Sequence, residues 1–359
     1  MKKALRSSLL AASALLISFG LSSCGSGNPT PFAGSTTSFA YLQESSVSAT
    51  KVPAVAGRAH ELNPRRARVH EARPRISNMG TGINLGAGNI DLYVMDSATG
   101  ATTKLNPTSA AFMSAKLSVD GTKLVFSAED TSGYLQVFVA DAKLQTITQL
   151  TGLTPADESD HANAAFSADG KTVVFDTMNG GQIYTIPATG GTPTLIATQV
   201  FGVFPIFTPN GKSIVFEGDS TSSDTYAIFS VNLDGSALTQ LTLPTLGDFL
   251  PSVSPDGSSV AFERITEITE NITYYVADIA VISINGESTT NPAKLLTSGD
   301  YSAGWSNQAL YLGTEVLFVC QPGTATVSSI YEVNADGSKV AQLTTTTAAT
   351  AFNATRWEE

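Results

Sequence analysis

The side chains of this chain that could do chemistry are carboxylates and one histidine, which recur in short polar segments. They are Asp157, Glu158, Asp160, His161, Asp219, Asp224, Asp248, Glu263 and Asp300. Carboxylate oxygens bind Ca²⁺ and attract cationic partners. A histidine beside a carboxylate, as in Asp160-His161, can orient a substrate or carry a proton. The same residues also fit solvated loop carboxylates and a structural, hydrogen-bonded histidine, and the sequence leaves these alternatives open.

Motifs for the common catalytic and cofactor-dependent chemistries are missing from the sequence. It contains no G-x-S-x-G, no H-E-x-x-H, no Cys/His spacing for a metal and no phosphate-binding loop. This favours a non-catalytic role, with a polysaccharide lyase or hydrolase that uses His161 as the alternative. No cofactor is expected, except that Ca²⁺ could bind the carboxylates, for function or as a stabilising ion.

A short pattern that recurs four times indicates the fold that positions these residues. Each copy has a Ser/Thr-x-Asp/Asn-Gly step and a Phe five residues after the glycine. The glycines are Gly121, Gly170, Gly211 and Gly257, and the phenylalanines are Phe126, Phe175, Phe216 and Phe262. A repeat of about 40 to 50 residues with this texture is typical of stacked copies of one small β unit.

Each unit is predicted to form four antiparallel strands, the composition of a propeller blade. The Asp/Asn-Gly step is turn chemistry, because glycine accepts positive φ and the acidic side chain caps the turn. The aspartates predicted to cap in this way are Asp120, Asp169, Asp256 and Asp336. A β-branched strand follows the turn, an alternating strand comes third, and the unit closes on a Leu-Thr pair such as Leu241-Thr242.

A fifth unit is less regular than the first four. Tyr301–Trp305 matches its first strand and Val316–Cys320 its second, which places the turn at Ser306-Asn307-Gln308.

A sixth unit would combine the two ends of the chain. Phe352–Trp357 reads as its first strand, Asn89–Asp96 as its third and Thr102–Leu105 as its fourth, with the second expected within Arg75–Leu85. The sequence therefore predicts an all-β fold over residues 86–359. It is a six-bladed β-propeller of four-stranded antiparallel blades, closed by the C-terminal strand joining N-terminal strands. A β-sandwich or a two-sheet barrel is the alternative.

Propeller geometry sorts the connections onto two faces. The glycine turns lie on one, the turn face, whereas the connections from second to third strands and from blade to blade gather on the other, the loop face. The nine side chains named first all fall on the loop face, at the mouth of the central channel, and we name them the acidic mouth. Converging carboxylates focus a negative field, so the mouth is predicted to bind a cationic segment of a protein or peptide.

Several strings resemble the repeat of TolB-like, WD-repeat-like β-propellers. They are Ser254–Gly257 with Val260–Phe262, Ile330–Gly337 with Leu343-Thr344, and Tyr93–Asp96. The resemblance covers about residues 86–359. It implies a periplasmic six-bladed propeller that binds proteins or peptides at the channel mouth. Similar repeats also precede peptidase domains and form oligogalacturonate lyases, so the fold does not by itself determine the function.

Residues 1–24 have the pattern of a bacterial lipoprotein signal peptide. Lys2, Lys3 and Arg6 precede an apolar core at Leu9–Leu21, and the segment ends in the lipobox Leu21-Ser22-Ser23-Cys24. Acyl chains on Cys24 would anchor the protein to a membrane. Gly25 is not the Asp of an inner-membrane retention mark, which favours an outer-membrane lipoprotein facing the periplasm. An ordinary signal peptide with an incidental cysteine is the alternative.

Residues 25–85 differ in composition from the rest and are predicted to form a flexible tether, rich in Ser, Thr and Gly and then basic. Residues 51–75 carry seven Lys/Arg against two Glu, whereas residues 86–359 carry ten Lys/Arg against 28 Asp/Glu. The acidic body argues against nucleic acid as a partner. The basic stretch could contact anionic lipid, fold back on the propeller or remain a solvated linker. We expect a monomer that contacts an envelope protein or peptide and, through its lipid, a membrane.

Overall fold

The structure is a computed structural model in which every regular element of the described residues is a β-strand. The described residues are 38–44, 87–96, 102–104, 112–130, 133–141, 146–152, 160–178, 180–196, 198–219, 225–244, 246–268, 275–288, 290–297, 306–320, 329–343 and 351–357. Within these ranges, no helix is long and apolar enough to cross a membrane. The signal peptide, the lipobox Cys24 and the basic stretch 51–75 lie outside them, so the predictions made for those segments stay predictions.

The strands are numbered in chain order. They are β1 (Ser38–Glu44), β2 (Ala87–Asp96), β3 (Thr102–Lys104), β4 (Phe112–Leu117), β5 (Lys123–Glu129), β6 (Leu135–Asp141), β7 (Ile147–Gln149), β8 (His161–Phe166), β9 (Thr172–Thr177), β10 (Gln182–Pro187), β11 (Thr194–Ile196), β12 (Gly202–Phe207), β13 (Ser213–Asp219), β14 (Tyr226–Asn232), β15 (Thr239–Gln240), β16 (Asp248–Val253), β17 (Ser259–Ile268), β18 (Tyr275–Ser283), β19 (Lys294–Leu295), β20 (Ser306–Leu312), β21 (Glu315–Cys320), β22 (Ser329–Asn334), β23 (Ala341–Gln342) and β24 (Ala351–Trp357).

Five sheets each consist of four consecutive strands that pair antiparallel. They are β4–β7, β8–β11, β12–β15, β16–β19 and β20–β23. The first strand of each sheet contacts the first strand of the next, in the order β4, β8, β12, β16 and β20. Sheets arranged in this way around a set of inner strands form an all-β propeller of four-stranded antiparallel blades, as the repeat predicts.

The remaining four strands form a further sheet from both ends of the chain. Its order is β24-β1-β2-β3. β1 pairs antiparallel with β2, from Ser38 opposite Asp96 to Glu44 opposite Ile90, and its other edge pairs with β24. β24 also contacts the inner strands β20 and β4. The C-terminal strand therefore shares a sheet with N-terminal strands and lies beside the first and the fifth of the complete blades.

The second strand of this sheet differs from the one expected. The sequence placed it within Arg75–Leu85, a range outside the described residues, but β1 occupies the position between β24 and β2. β1 also falls inside the range 25–85 that was predicted as a tether. Its aromatic residues alternate, at Phe39 and Tyr41, and Gly34 lies five residues before Phe39, the same spacing as in the repeat. The match is hard to recognise because Ala33 stands where the other units have Asp or Asn, and because β24, which takes the place of the first strand, comes from the other end of the chain.

The turn of the fifth blade also differs from the expectation. Ser306-Asn307-Gln308, predicted as the turn, lies within the strand β20, and Tyr301–Trp305 lies outside the described residues. The chain instead turns at Gly313, whose φ is 65°. This turn reads Leu-Gly-Thr and lacks the Asp-Gly signature of the other units. The turn and the first strand of this blade were therefore predicted too early in the chain.

The glycine turns have the predicted chemistry. Gly121, Gly170, Gly211 and Gly257 have φ between 63° and 72°. Asp256 Oδ1 accepts hydrogen bonds from the Ser254 hydroxyl at 2.6 Å and from the Ser258 N–H at 3.0 Å. These bonds lower the pKa of Asp256 to about 2. Asp120, Asp169 and Asn210 accept the equivalent backbone N–H in their own turns.

The Leu-Thr pair that closes each unit attaches the fourth strand to the third. Leu241 N–H donates to the Ile228 carbonyl at 2.7 Å, and Thr242 Oγ1 accepts the N–H of the same Ile228 at 3.0 Å. The same two bonds join Leu150-Thr151 to Val137 and Leu296-Thr297 to Ile279. The threonine hydroxyl thus satisfies a buried backbone donor where the short fourth strand has ended.

The repeat phenylalanines form the core between the blades. Phe126, Phe175, Phe216 and Phe262 are at most 1% exposed, and Phe318 takes the same place in the fifth blade. Phe216 stacks on Phe229 of the neighbouring strand, with ring centroids 5.6 Å apart. Each blade therefore contributes one large aromatic residue at the same height, which explains the constant spacing between glycine and phenylalanine.

Candidate functional site

The channel wall is formed by the first strands of the blades, and these strands are bulged. The pairing register shifts at the same place in β8, β12 and β16. The residues at these bulges are Asn163, Phe204 and Leu250, with φ of 51°, 53° and 53°. This left-handed conformation is unusual for residues other than glycine. A bulge removes an N–H from the strand ladder, so that group needs an acceptor elsewhere.

Buried carboxylates of the preceding blade supply two of these acceptors. Phe204 N–H donates to Asp176 Oδ2 at 2.7 Å, and Leu250 N–H donates to Glu217 Oε2 at 3.3 Å. Asp176 and Glu217 directly follow the repeat phenylalanines, and Glu263 has the same position in the next blade. The three residues are 0%, 1% and 4% exposed. The acidic residue after the phenylalanine therefore connects one blade to the next at two of the interfaces.

Burial makes these carboxyl groups weak acids. It raises the pKa of Asp176 to about 7, against the opposing effects of two hydrogen bonds and of the Lys116 cation. Burial also raises the pKa of Glu263 to about 8. It raises the pKa of Glu217 well above its ordinary value, with added repulsion from neighbouring carboxylates. The interfaces between these blades therefore carry less negative charge at neutral pH than their composition suggests.

The members of the acidic mouth do not share one environment. Four of them lie outside the described residues: Asp157, Glu158, Asp224 and Asp300. Asp160 and Asp219 are partly exposed at strand ends on the loop face. Asp160 Oδ1 accepts the N–H of Leu135 at 2.9 Å, which ties two neighbouring blades together. The predicted convergence of all nine residues on one partner stays a prediction.

His161 is buried, with 4% of its surface exposed. Its Nδ1 lies 3.1 Å from Gln136 Oε1, and its ring meets the Phe175 ring edge-on with centroids 5.4 Å apart. Because an amide oxygen can only accept, Nδ1 is the donor in this bond for the Gln136 orientation in the structure. This environment matches the structural alternative for His161, a packed and hydrogen-bonded imidazole.

Asp248 is also buried, in an ion-pair network with Arg264 and Glu287. Arg264 Nε and Nη2 donate to the two carboxylate oxygens of Asp248, both at 2.8 Å, and Nη2 donates to Glu287 Oε2 at 2.9 Å. The side chains of Asp248, Glu287 and Arg264 are 0%, 9% and 17% exposed. The two carboxylates raise the pKa of Arg264 against the effect of its own burial. Asp248 is thus already neutralised by an internal partner.

A cavity of about 380 Å³ lies inside the channel and extends to the turn face. Its wall includes the turn residues Ala168, Pro209 and Pro255 together with the bulge residues Phe204 and Leu250. Lys116 is the one charged residue among the described residues that line it. None of the described members of the acidic mouth belongs to this wall.

A metal site is not formed by the residues in the described ranges, where no group of three or more His, Cys, Asp or Glu side chains could hold a metal ion. The undescribed mouth carboxylates could contribute to a Ca²⁺ site, so Ca²⁺ binding stays a prediction.

Lys116 and Asn163 are the channel residues that the sequence reasoning missed. The signal for Lys116 was present in the repeat itself. Five residues before the turn glycine the other units have Ala165, Ile206 and Ser252, whereas the first unit has a lysine. Aligning the units position by position would therefore have singled out this residue.

Four-stranded blades built from one repeat around a central channel define the class of this protein as a β-propeller. The family model described as TolB beta propeller domain matches residues 73–309. The chain belongs to this family.

Comparisons with individual proteins agree with the family. The Tol-Pal system protein TolB of Francisella tularensis subsp. tularensis (strain WY96-3418) is 26% identical over 229 residues, which cover 61% of this chain and 50% of that protein. The chain thus spans about half the length of the curated relatives it matches. The structure of TolB from Acinetobacter baumannii is similar with a TM-score of 0.63 and 17% identity, over 90% of this chain and 68% of that one.

A protein named for a different activity has a similar fold. Hydrazine synthase from Kuenenia stuttgartiensis matches with a TM-score of 0.60 and 13% identity, over 90% of this chain and 47% of that one. At such identities the structural likeness shows the fold alone.

Proposed function

We propose that the chain is a six-bladed, envelope-located propeller that binds a protein or peptide at the acidic mouth and catalyses no reaction. The sheet β24-β1-β2-β3 is its sixth blade. This assignment is supported by the contacts of β24 with both β20 and β4, which lie on either side of the gap between the fifth and first complete blades. A ring closed in this way leaves only short outer edges, the fourth strands of two or three residues, for pairing with other chains.

The observation that carries the binding role is membership of the TolB β-propeller family, with relatives named for the Tol-Pal system. The excess of negative charge supports a cationic partner. Residues 86–359 carry 28 Asp/Glu against ten Lys/Arg, and Asp160 and Asp219 are accessible on the loop face. A cationic segment would be attracted to this field, and the attraction would weaken as salt shortens the screening length.

The buried contacts of His161 and Asp248 argue against the lyase alternative. A catalytic base must reach the proton that it removes. His161 is packed between Gln136 and Phe175, and Asp248 is paired with Arg264. Neither residue lines the cavity in the channel. The one histidine of residues 86–359 is thus held where a polysaccharide chain in the channel would not meet it.

The proposal includes a lipid anchor on Cys24 and a position at the outer membrane facing the periplasm. Its support is the lipobox and Gly25 in the sequence. Metabolic labelling with an alkyne-bearing fatty acid tests it. The wild-type chain should take up the label and sediment with outer membranes, and Cys24→Ser should do neither. Label retained by Cys24→Ser would contradict the anchor.

Charge reversal on the loop face tests the partner site. In Asp219→Lys/Asp224→Lys, two mouth carboxylates become cations. The tagged chain is crosslinked in cells, isolated and analysed by quantitative mass spectrometry. We expect recovery of the partner to fall by at least about tenfold, because two attractive contacts become repulsive.

The control carries the same charge change on the opposite face, in Asp169→Lys/Asp234→Lys. Both of these residues are exposed and belong to glycine turns. Recovery of the partner should match the wild type. Equal losses in the two double variants would mean that net charge rather than the acidic mouth attracts the partner, and no loss in the mouth variant would refute the site.

A further inference from the structure

The cavity at the turn-face end of the channel contains one layer of equivalent positions. Each of them pairs with the residue just before the buried phenylalanine of its blade. These positions are Lys116, Ala165, Ile206, Ser252 and Leu310. All five line the cavity. Among the described residues, this layer therefore contains one cation and four neutral side chains.

The fold does not require a cation at this position, since the equivalent residues of four other blades are neutral. Lys116 is half-buried, and burial lowers its pKa to about 8, against the raising effect of Asp176. The ion pairs among the described residues join Lys171 to Asp169 and Arg264 to Asp248 and Glu287, and Lys116 takes part in none of them. A half-buried cation without an ion pair costs free energy, which a bound anion would offset.

Asp176 is electrostatically coupled to Lys116 but does not form an ion pair with it. Its Oδ2 accepts hydrogen bonds from Asn163 Nδ2 at 2.9 Å and from Phe204 N–H at 2.7 Å. Its Oδ1 is buried and has no hydrogen-bond partner. The carboxyl group of Asp176 is therefore hydrogen-bonded to the bulge residues of the wall, and the Lys116 ammonium can bind a ligand in the cavity.

The rest of the wall suits a compact apolar group. Ile206, Leu250 and Leu310 are only partly buried and line the cavity. Small-molecule sites in proteins have volumes of roughly 300–1,000 Å³ and combine mostly apolar walls with a few polar groups. A cavity of about 380 Å³ whose described lining carries a single cation has these properties.

We propose that this cavity binds a small amphipathic monocarboxylate, whose carboxylate pairs with Lys116 and whose apolar body packs against Ile206, Leu250 and Leu310. The site opens on the turn face, at the opposite end of the channel from the acidic mouth. It is a second ligand site and does not depend on the proposed partner binding.

Isothermal titration calorimetry of the full chain at pH 7 tests the proposal with three probes of equal length: octanoate, octanol and octylammonium. Octanoate should bind at least about tenfold more tightly than octanol, and octylammonium more weakly than either, because only the anion gains the contact with Lys116. Equal affinities for octanoate and octanol, or no octanoate binding at millimolar concentration, would overturn the proposal. Binding of an apolar peptide through its terminal carboxylate, without octanoate binding, would overturn it too.

Variants of Lys116 test whether octanoate binding depends on this residue. Lys116→Met, which keeps the length and apolar stem, should lose at least about tenfold in octanoate affinity, and Lys116→Arg should retain most of it. Lys212→Met removes an exposed cation from a turn on the same face and should change nothing. Unchanged octanoate affinity in Lys116→Met would refute the assignment.

The cavity and the acidic mouth can be tested independently, because each variant should affect only one of them. Lys116→Met should recover the protein partner as the wild type does, and Asp219→Lys/Asp224→Lys should bind octanoate as the wild type does. Absence of octanoate binding in a wild-type chain that still recovers its partner would overturn the cavity proposal alone, and unchanged partner recovery in Asp219→Lys/Asp224→Lys would overturn the acidic mouth alone.

Discussion

Removing Arg264 should destabilise the fourth complete blade more than any other single charge deletion among the described ion pairs. Arg264→Met keeps the apolar stem but leaves Asp248 buried without its bidentate partner. Glu287 would also lose its partner, although it keeps the N–H groups of Leu243 and Ala293 at 2.8 Å and 3.1 Å. The variant thus isolates the cost of an uncompensated charge at Asp248.

The expected loss of stability in Arg264→Met follows from the burial of the ion pair between Arg264 and Asp248. Breaking a buried ion pair by removing one partner costs roughly 3–5 kcal/mol. The lower part of this range applies, because the Arg264 side chain keeps 17% exposure and water can partly replace it. A loss of about 3 kcal/mol in a domain of this size lowers the melting temperature by roughly 6–12 °C.

Urea unfolding followed by circular dichroism, combined with a double-mutant cycle, measures the effect. Asp248→Asn removes the buried charge, so Arg264→Met/Asp248→Asn should be more stable than Arg264→Met alone. Lys171→Met is the control, because this lysine is 80% exposed and 3.7 Å from Asp169. It should unfold as the wild type does.

Two results would refute this reasoning. The first is unfolding of Arg264→Met within about 0.5 kcal/mol of the wild type, the range of an ordinary surface substitution. The second is a double variant that is no more stable than the single one. In that case the arginine acts through packing over the Phe262 ring, 5.2 Å away, and not through Asp248.

Three further predictions concern the blades. Thr242→Val should cost about 1–3 kcal/mol in urea unfolding, since it leaves the buried Ile228 N–H without its side-chain acceptor. Gly218→Ala should cost about 1–3 kcal/mol, because its Cβ would lie 2.8 Å from the Phe201 carbonyl oxygen. Asp176→Asn should gain stability relative to the wild type as pH rises from about 4 to about 7. In that window folded Asp176, with its pKa raised to about 7, holds a proton that the unfolded chain has lost, so the wild type weakens as pH rises.

Matched control variants distinguish these specific effects from nonspecific destabilisation of the fold. Thr242→Ser keeps the hydroxyl and should retain most of the stability. Gly152→Ala has open space around its Cβ, with the nearest atom 4.0 Å away, and should be neutral. For Asp176→Asn, a difference from the wild type that stays constant between pH 4 and 7 would show that the carboxyl group titrates normally in the folded chain.

The repeat made the blades predictable because its spacing is imposed by the core. A phenylalanine five residues after the turn glycine reaches the same height in each blade, and Phe126, Phe175, Phe216 and Phe262 are all buried there. The Asp-Gly turns and the Leu-Thr pairs were predictable for the same reason, since each satisfies a backbone group that recurs in every copy.

The roles of the carboxylates were less predictable, because a sequence shows positions along the chain and not contacts across blades. Glu263, which the sequence assigned to the acidic mouth, is buried, as are Asp176 and Glu217 at the same position of the preceding blades. Asp176 and Glu217 accept hydrogen bonds from bulges in the next blade, at Phe204 and Leu250. Those bulges have no residue signature, since Asn, Phe and Leu all occupy them.

The strand β1 changes what the N-terminal region can do. The segment predicted as one tether divides into a short link before β1, at positions 25–37, and a longer connection between β1 and β2, at positions 45–86. Even fully extended, the short link reaches only roughly 45 Å, so acyl chains on Cys24 would hold the propeller close to the lipid surface. The basic stretch 51–75 falls in the longer connection, whose ends meet where Glu44 pairs with Ile90. Its positive charge is therefore attached to the same sheet at both ends, and it is not part of the link to the lipid.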